Sequence, residues 1–261
     1  MVIATYNLRA GGRAGNLIHW TRMIELFAPD LLLMQETRHP SHYLPPEVYA
    51  ANGKQLHWLP AREGRWGSAI FARTGQLRPI TLPQYNGYVV GAELIGSEWS
   101  RRTGKPVRVF SLHVPAPYKR PMNEILDFIA TLPNAEDYDL ILGGDFNLAT
   151  GIRHSTEPLP TDPPWLLKRL RKEFNLLGCW QAVNPNRDLA QTLRWAGNPV
   201  APYHCDGIFV PAAWYRHLDD CQVIAGPAWD SLSDHNPVVA TFDAPMVPPR
   251  SRWRVSSAPT V

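Results

Sequence analysis

The most informative segment of the chain is Asp139-Leu140-Ile141-Leu142-Gly143-Gly144-Asp145-Phe146-Asn147. Its short apolar run without proline predicts a buried strand, and the glycine pair indicates where that strand ends. Asp145 and Asn147 are two residues apart, so on an extended chain their side chains point to the same side. A carboxylate there can accept a proton from water or hold a cation, and a neighbouring carboxamide can orient it. The alternative is an ordinary Asp/Asn turn, which this segment alone does not exclude.

The composition is that of a globular protein with a sizeable core. The chain has 261 residues, of which 44% are hydrophobic and 19% charged, enough for one large α/β domain or two small ones. No apolar run is long enough to span a bilayer, and the first residues have a strand-like pattern rather than that of a signal peptide. Three widely spaced cysteines argue against a disulfide framework and are typical of a reducing compartment. We therefore expect a cytoplasmic protein, with a monomer as the default.

The formal net charge of +3 comes from the last part of the chain. Residues 247–261 contain Arg250, Arg252 and Arg254 and no acid, so the 26 Lys+Arg minus these three leave 23, against 23 Asp+Glu. We expect one formally neutral folded domain over residues 1–246, because no repeat or linker divides it. Residues 247–261 are expected to be a basic, Pro/Ser-rich, flexible tail.

The hydrophobic pattern predicts a layered α/β protein. It opens with a β-α-β unit, made of a strand at 2–6, a helix at 17–27 and a strand at 31–36. Further strands are predicted at 56–59, 67–72, 88–95, 107–114, 139–143, 179–183, 204–210, 222–225 and 238–242, with helices at 122–132 and 164–174. The segment 96–106 is predicted to be a basic connection without regular structure.

A set of polar residues follows or ends these apolar strands. They are Asn7, Glu36, His113, Asp145, Asn147, Asp206, Asp234 and His235. Taken singly, most have an ordinary alternative, such as a turn residue or, for His113, a hydrogen-bonded core histidine. Glu36 is harder to explain in this way, because a carboxylate next to a buried strand needs a partner or a cation. Ligands of layered α/β folds bind beyond strand ends, so the whole set favours one shared site.

Six short motifs also run in a recognisable order along the chain. They are Thr5-Tyr6-Asn7, Gln35-Glu36-Thr37, Ser111-Leu112-His113, Gly143-Gly144-Asp145-Phe146-Asn147, Asp206-Gly207-Ile208-Phe209-Val210 and Ser233-Asp234-His235-Asn236-Pro237-Val238. Together they resemble the endonuclease/exonuclease/phosphatase superfamily, also called deoxyribonuclease-I-like. Thr192-Leu193-Arg194-Trp195 is similar to a substrate-side segment in some members. The resemblance implies a four-layer α/β/β/α sandwich with two mixed β-sheets packed face to face.

The resemblance implies a divalent metal in a cleft at the strand ends. Glu36 would be the main ligand, helped by Asn7 and Asp234 directly or through water. Oxygen ligands of this kind suit Mg²⁺ or Mn²⁺ rather than zinc.

It also implies catalytic roles for five residues. Asp145 would align or deprotonate the attacking water, and Asn147 would orient it. His235, paired with Asp206, would stabilise the negative charge on the phosphoryl group. His113 would bind the phosphate or help to protonate the leaving group, although the sequence does not identify an acidic partner for it. Abasic-site endonucleases of the superfamily typically have Tyr at the position of His113, which disfavours that branch.

The implied reaction is hydrolysis of a phosphodiester bond by in-line attack of water, and a nuclease acting on DNA or RNA is the first candidate. The residues proposed to bind substrate are Arg101, Arg102, Lys119, Arg194 and Trp195, while Trp66 and Trp99 are further candidates for stacking on bases. Because residues 1–246 are formally neutral, a phosphatase or phosphodiesterase for small or lipid substrates, of the phosphoinositide or sphingomyelin type, is the alternative. A non-catalytic binding module is a third candidate, which the complete motif set disfavours.

Overall fold

Two six-stranded β-sheets form the centre of the protein. The computed structural model describes residues 1–10, 19–44, 55–62, 64–154, 159, 161–162, 164–198 and 200–243. The strands are β1 (Val2–Asn7), β2 (Leu31–Thr37), β3 (Leu56–Pro60), β4 (Gly67–Ala72), β5 (Gln76–Ile80), β6 (Val89–Ile95), β7 (Val107–His113), β8 (Asp139–Asp145), β9 (Leu176–Gly178), β10 (Asp206–Pro211), β11 (Leu218–Val223) and β12 (Val238–Phe242). The first sheet has the order β11-β12-β1-β2-β4-β3 and the second has the order β5-β6-β7-β8-β10-β9. Both are mixed, since β1–β2 and β7–β8 are parallel and the other pairs antiparallel.

The two sheets pack face to face because side chains alternate along each strand. In β2, Leu31 and Leu33 point into the core between the sheets, while Leu32 and Met34 point to the opposite face. The inner core also holds Val109 of β7 and its counterparts on the neighbouring strands. Burying both faces explains why these strands read as continuous apolar runs.

Helices cover the two outer faces. Of the described helices, four do so: α1 (His19–Phe27), α3 (Lys119–Ala130), α4 (Pro164–Glu173) and α6 (Pro227–Asp230). Two others, α2 (Glu98–Thr103) and α5 (Cys179–Val183), pack against the core between the sheets through Trp99 and Cys179. Trp20 and Met23 of α1 pack on the outer face of the first sheet, and Ile125 and Leu170 of α3 and α4 pack on that of the second. The resulting α/β/β/α order confirms the predicted four-layer sandwich. Among the described residues, no helix is long and apolar enough to cross a membrane.

The structure corrects two local predictions. Residues 179–183 form the short helix α5 rather than a strand, and its Cys179 contributes to the core between the sheets. Segment 96–106 contains the helix α2, whose start is capped by the Ser97 hydroxyl accepting the Ser100 N–H at 3.1 Å. Gly104 ends that helix with φ 74, a left-handed conformation that suits glycine. The sequence carried this capping signal, but the basic composition of the segment obscured it.

Two further strands, β5 and β9, were not predicted. Both lie at the edges of the second sheet, and β9 has only three residues. Within β5 only Leu77 is buried, and β9 is too short to form an apolar run, so neither strand has the pattern on which the other predictions rested. The start of the predicted helix 17–27 and the predicted tail 247–261 lie outside the described residues, so the domain boundary at 246 stays a prediction.

Candidate active site

The inner faces of the two sheets change from apolar to polar at one end of the strands. Along β7 the inward side chains run from Val109 to His113, and along β8 they run from Ile141 to Asp145. In register, His113 lies beside Asp145, and Asp145 lies beside Asp206 at the start of β10. The twofold alternation that buries the core therefore also directs these three side chains into one cleft.

Asp145 lies at the centre of the cleft and is only 2% exposed. Its Oδ2 accepts a hydrogen bond from Asn7 Nδ2 at 3.0 Å and lies 3.8 Å from Nε2 of His235. Its Oδ1 accepts the backbone N–H of Asn147 at 2.8 Å. Burial, together with the negative charge of Asp206, raises the pKa of Asp145 to about 6. A carboxylate with a raised pKa is a stronger base than an ordinary aspartate.

Asp206 and His235 form a buried acid–imidazole pair. Nδ1 of His235 lies 2.9 and 3.1 Å from the two carboxylate oxygens of Asp206. Burial alone would lower the pKa of His235, but the negative charges of Asp206 and Asp145 outweigh it and raise the pKa to about 10. The His235 ring is thus positively charged and balanced by Asp206, with Nε2 directed toward Asp145.

Two hydroxyl groups that the sequence reasoning passed over hold this pair in place. Thr192 Oγ1 accepts the backbone N–H of Asp206 at 3.0 Å. Ser233 Oγ accepts the N–H of His235 at 3.1 Å and donates to the carbonyl oxygen of Asn7 at 2.8 Å. Both residues lie in motifs noted in the sequence, but their partners are distant along the chain.

Glu36 reaches the cleft through a local irregularity of β2. Alternation from Met34 would direct it toward the outer helices, but the β2–β4 register shifts after Met34 and Glu36 has φ 48. Its Oε1 accepts a hydrogen bond from Asn7 Nδ2 at 3.2 Å and lies 3.4 Å from Nε2 of His113. Its Oε2 accepts the backbone N–H of Ala10. Glu36 is therefore an acidic partner of His113, which the sequence did not identify.

The other two predicted metal ligands are engaged by Arg9. Nε of Arg9 lies 3.2 Å from Oδ2 of Asp234, and its backbone N–H donates to Oδ1 of Asn7 at 2.8 Å. Asn7 consequently presents its amide nitrogen, rather than its oxygen, to Glu36 and Asp145.

The donor set around Asn7 nevertheless fits a hard divalent cation. Carboxylate oxygens of Glu36 and Asp145 converge on one amide nitrogen, which leaves an excess of negative charge in a small space. Oxygen donors of this kind suit Mg²⁺ or Mn²⁺. Ligand atoms of Asp145, Asp206 and His235 also lie within 4.8 Å of one another. Because both oxygens of Asp206 bind His235, that group is better described as an acid–imidazole pair beside Asp145.

Aromatic rings form one wall of the cleft around His113. The ring centroid of Trp66 lies 5.4 Å from that of His113, and the centroid of Tyr88 lies 5.7 Å from it. Trp66 and Tyr88 contact each other edge to face at 5.5 Å, and both are partly exposed. Partly exposed rings of this kind can stack on a base. The sequence suggested Trp66 for this role but gave no indication of Tyr88.

Three of the predicted substrate-binding residues lie outside this cleft or are otherwise engaged. Arg101 and Arg102 are on α2, which joins the end of β6 to the start of β7, whereas His113 is at the opposite end of β7, about 20 Å along the strand. Both arginines pair with Glu98. Trp99 is 1% exposed and belongs to the core, so its predicted stacking on a base is wrong.

Arg194 lies beside the site and ties its last motif together. Its guanidinium donates to the carbonyl of Ser233 at 2.6 Å, hydrogen-bonds Asn236 and lies 3.1 Å from Asp230. Its backbone N–H donates to the carbonyl of Asp234 at 2.8 Å. These contacts position the Asp234 loop, so contact with substrate stays a prediction for Arg194.

Trp195 and Lys119 are exposed on the same side of the fold as the strand ends. Trp195 is 53% exposed and directly follows Arg194, whose backbone N–H donates to the carbonyl of Asp234. Lys119 begins α3, six residues after His113, and is exposed. For both residues, contact with substrate stays a prediction.

A buried polar network joins the two sheets beneath the cleft. Gln35 Nε2 donates to Thr5 Oγ1 at 3.1 Å and to Ser111 Oγ at 3.0 Å, and Ser111 Oγ donates to the carbonyl of Met34 at 3.3 Å. Thr5, Gln35 and Ser111 are all fully buried. The network holds β2 against β7, and thereby holds the Glu36 side of the cleft against the His113 side.

The family model described as Endonuclease/Exonuclease/phosphatase family matches residues 4–235. A search of curated protein sequences gives no significant match. Among solved structures, an AP endonuclease from Archaeoglobus fulgidus is 18% identical with a TM-score of 0.63, over 93% of this chain and 99% of that chain. The 3′–5′ exonuclease NExo from Neisseria meningitidis is 20% identical with a TM-score of 0.66, over 93% and 100%. A structure of 3′ phosphatase NExo from Neisseria bound to product DNA hairpin is 20% identical with a TM-score of 0.60, over 93% and 99%.

Proposed function

Since the chain belongs to the endonuclease/exonuclease/phosphatase family, we propose that it is a divalent-metal-dependent phosphodiesterase that acts as a nuclease on DNA. One observation carries the proposal: Asp145 lies between the Asp206–His235 pair and Glu36 in a single cleft. A base, a cationic donor and a cation-binding carboxylate are what in-line attack of water on phosphorus requires.

Asp145 is proposed to be the general base. Its Oδ1 is fixed by the Asn147 N–H, which leaves Oδ2 facing the cleft. With a pKa raised to about 6, it is ionised at neutral pH and still basic enough to take a proton from water. The backbone of Asn147 has φ 51, and its side-chain amide donates to the carbonyl of Val114 at 3.0 Å, which holds the turn that carries both residues.

His235 is proposed to donate a hydrogen bond to a phosphoryl oxygen. Asp206 holds Nδ1, so Nε2 carries the free N–H into the cleft. The charged ring stabilises the negative charge that develops as water attacks, and it needs no reorganisation because Asp206 has already oriented it. His113, next to Glu36, lies where it can bind a second oxygen or assist the leaving group.

Mg²⁺ or Mn²⁺ is proposed to bind at Glu36, with Asn7 and Asp234 as further ligands, directly or through water. Direct binding by Asn7 requires its amide to turn so that Oδ1 rather than Nδ2 faces Glu36. The cation would supply positive charge to the phosphoryl oxygens. Glu36 orients toward this position because Asn7 and Ala10 hold its two oxygens.

DNA as the substrate is supported by the surroundings of the cleft. Trp66 and Tyr88 offer aromatic faces next to His113, and Arg65 beside Trp66 is exposed together with Lys119. Aromatic faces interleaved with cations are typical of surfaces that bind a strand of nucleic acid. The similar solved structures include an AP endonuclease and a DNA-bound 3′ phosphatase, which supports the same class of substrate.

A substrate panel tests this proposal. The wild-type protein is incubated with plasmid DNA, single-stranded and 3′-phosphorylated oligonucleotides, RNA, inositol phosphates and sphingomyelin, each with Mg²⁺ and with excess EDTA. We expect Mg²⁺-dependent cleavage of DNA whose rate falls steeply with salt. Hydrolysis of inositol phosphates or sphingomyelin without cleavage of DNA would instead favour the small or lipid substrates, and full activity in EDTA would exclude the metal.

A further inference from the structure

Residues 9 and 10 contact each of the three residues proposed to bind the metal. The backbone N–H of Arg9 donates to Oδ1 of Asn7 at 2.8 Å, and the N–H of Ala10 donates to Oε2 of Glu36. The side chain of Arg9 pairs with Asp234, with Nε and Oδ2 separated by 3.2 Å. One short segment thus supplies a donor to every predicted ligand.

The backbone of this segment is unusual. Arg9 has φ 54 and Ala10 has φ 51, so two successive residues other than glycine adopt the left-handed conformation. Residues in that conformation persist only where their surroundings hold them, and they cluster at functional sites. Here the bonds to Asn7 and Glu36 hold the turn, and the turn directs the Arg9 side chain to Asp234.

The guanidinium of Arg9 is also a solvent-exposed positive charge at the rim of the cleft. The Arg9 side chain is 46% exposed, whereas that of Asp234 is 22% exposed. In the described part of the chain, the other basic side chains within 4.0 Å of the carboxylates of Glu36, Asp145 and Asp206 are the rings of His113 and His235, which are largely buried. An exposed guanidinium at the rim can reach a phosphate, which it binds with two parallel hydrogen bonds.

We propose that Arg9 is a phosphate-binding residue. Without the divalent cation it is paired with Asp234, and binding of the cation frees its guanidinium to contact the substrate. This inference rests on the proposed function. Arg9 and the cation compete for the same carboxylate, so the cation displaces the guanidinium from Asp234. The freed guanidinium then binds a phosphate oxygen, and substrate and cation favour the same arrangement.

Mn²⁺ binding in the absence of substrate tests the competition directly. The Mn²⁺ dissociation constant is measured by electron paramagnetic resonance and calorimetry for the wild type, Arg9→Gln and Arg9→Lys. Arg78→Ala is the matched control, because Arg78 pairs with Glu93 on the edge of the second sheet. We expect Arg9→Gln to bind Mn²⁺ about tenfold more tightly than the wild type, since a competing charge is removed. Arg9→Lys and Arg78→Ala should bind as the wild type does.

A double-mutant cycle locates the effect. In an Asp234→Asn background, Arg9→Gln should no longer change Mn²⁺ affinity, because the contested carboxylate is gone. In steady-state kinetics with the substrate found by the panel, Arg9→Gln should raise KM about tenfold or more, as loss of a charge-assisted contact to phosphate does, and Arg9→Lys should recover part of it.

The outcomes separate this inference from the proposed function. If the wild type binds Mn²⁺ and Arg9→Gln binds it with the same or lower affinity, the inference is overturned while the metal-dependent hydrolase stands. An unchanged KM in Arg9→Gln overturns the phosphate-binding role in the same way. If neither the wild type nor the variant binds Mn²⁺, both the inference and the metal in the proposed function are overturned.

Discussion

Replacing Asp206 with asparagine should remove the positive charge from His235 while leaving the shape of the site unchanged. Asp206 is fully buried and holds Nδ1 of His235 with both oxygens. The pKa of His235 is raised from 6.5 to about 10, a difference of about 5 kcal/mol in favour of the charged ring, and Asp206 contributes the largest favourable part. In the variant, burial continues to favour the neutral ring and only Asp145 opposes it. We expect the pKa of His235 to fall by at least about 2 units.

The consequence for turnover follows from the role of the ring. A neutral His235 is a weaker donor to the phosphoryl oxygen than the charged ring is. This holds even if the introduced carboxamide donates to Nδ1 and thereby keeps the hydrogen on Nε2, so the site loses its charged donor. Loss of one preorganised donor of this kind lowers kcat by about 10²–10³-fold. Stability should change in a defined pH range as well. Because the pKa of His235 is raised in the folded state, its contribution is fully present below pH 6.5 and is lost as the pH rises through about 10.

Nuclear magnetic resonance of the histidine ring protons in EDTA measures the first effect without a metal or substrate. The His235 signal of the wild type should still be that of the charged ring at about pH 8, and in Asp206→Asn it should have titrated. Rates with the substrate found by the panel measure the second effect. Asp219→Asn on β11 is the control, since Asp219 is exposed on the other sheet. A variant Asp206→Asn with the His235 titration and the kcat of the wild type would refute the assigned pair.

Three further predictions concern the same cleft and its surroundings. Asp145→Asn should fold normally and lower kcat by at least about 10³-fold in Mg²⁺, and normal turnover would remove Asp145 from the mechanism. Gly144→Ala should lower the free energy of unfolding by more than about 3 kcal/mol in urea titrations, because Gly144 has φ 144 and an added Cβ would lie 2.0 Å from the Leu112 carbonyl oxygen. Gly96→Ala is the control: Gly96 has φ 64 and open space around the added Cβ, so this variant carries the strain of a positive φ without the clash and should lose less. Burial lowers the pKa of His204 to about 4. Between pH 6.5 and about 4, His204 is therefore protonated in the unfolded chain but not in the folded protein. Stability should therefore fall by up to about 3 kcal/mol as the pH drops from 6.5 to 4, and a variant His204→Gln with the same pH dependence would contradict this.

The fold was predictable because its strands are buried on both faces. A run such as Leu31-Leu32-Leu33-Met34 needs apolar neighbours on both sides, and two sheets covered by helices provide them. The same alternation made the polar strand ends informative, since an inward position beyond the core still points inward. Asn7 and Asp145 are 138 residues apart in the chain, but Nδ2 of Asn7 lies 3.0 Å from Oδ2 of Asp145. Each of them occupies the last inward-facing position of its strand.

The departures from the sequence prediction arise where tertiary contacts override local pattern. The apolar run at Cys179 reads as a strand, but its residues follow β9 directly and pack as a single helical turn with Cys179 in the core. Arg101 and Arg102 look like part of a basic loop until α2 is seen at the far end of β7 from the cleft. Charge in a connecting segment indicates exposure, and only topology determines which end of the sheet it occupies.

Glu36 marks the limit of reasoning from strand alternation, and it also indicates how this site is built. In a regular strand it would share the outer face with Met34, where no carboxylate could be accommodated among the residues that contact α1. The register shift and the φ of 48 redirect it, and this conformation costs on the order of 1–3 kcal/mol. Asn7, His113 and the Ala10 N–H offset that cost by binding the redirected carboxylate. The strand geometry therefore places Asp145 and His113, whereas Glu36 is placed by the hydrogen bonds and the ion pair that its carboxylate makes.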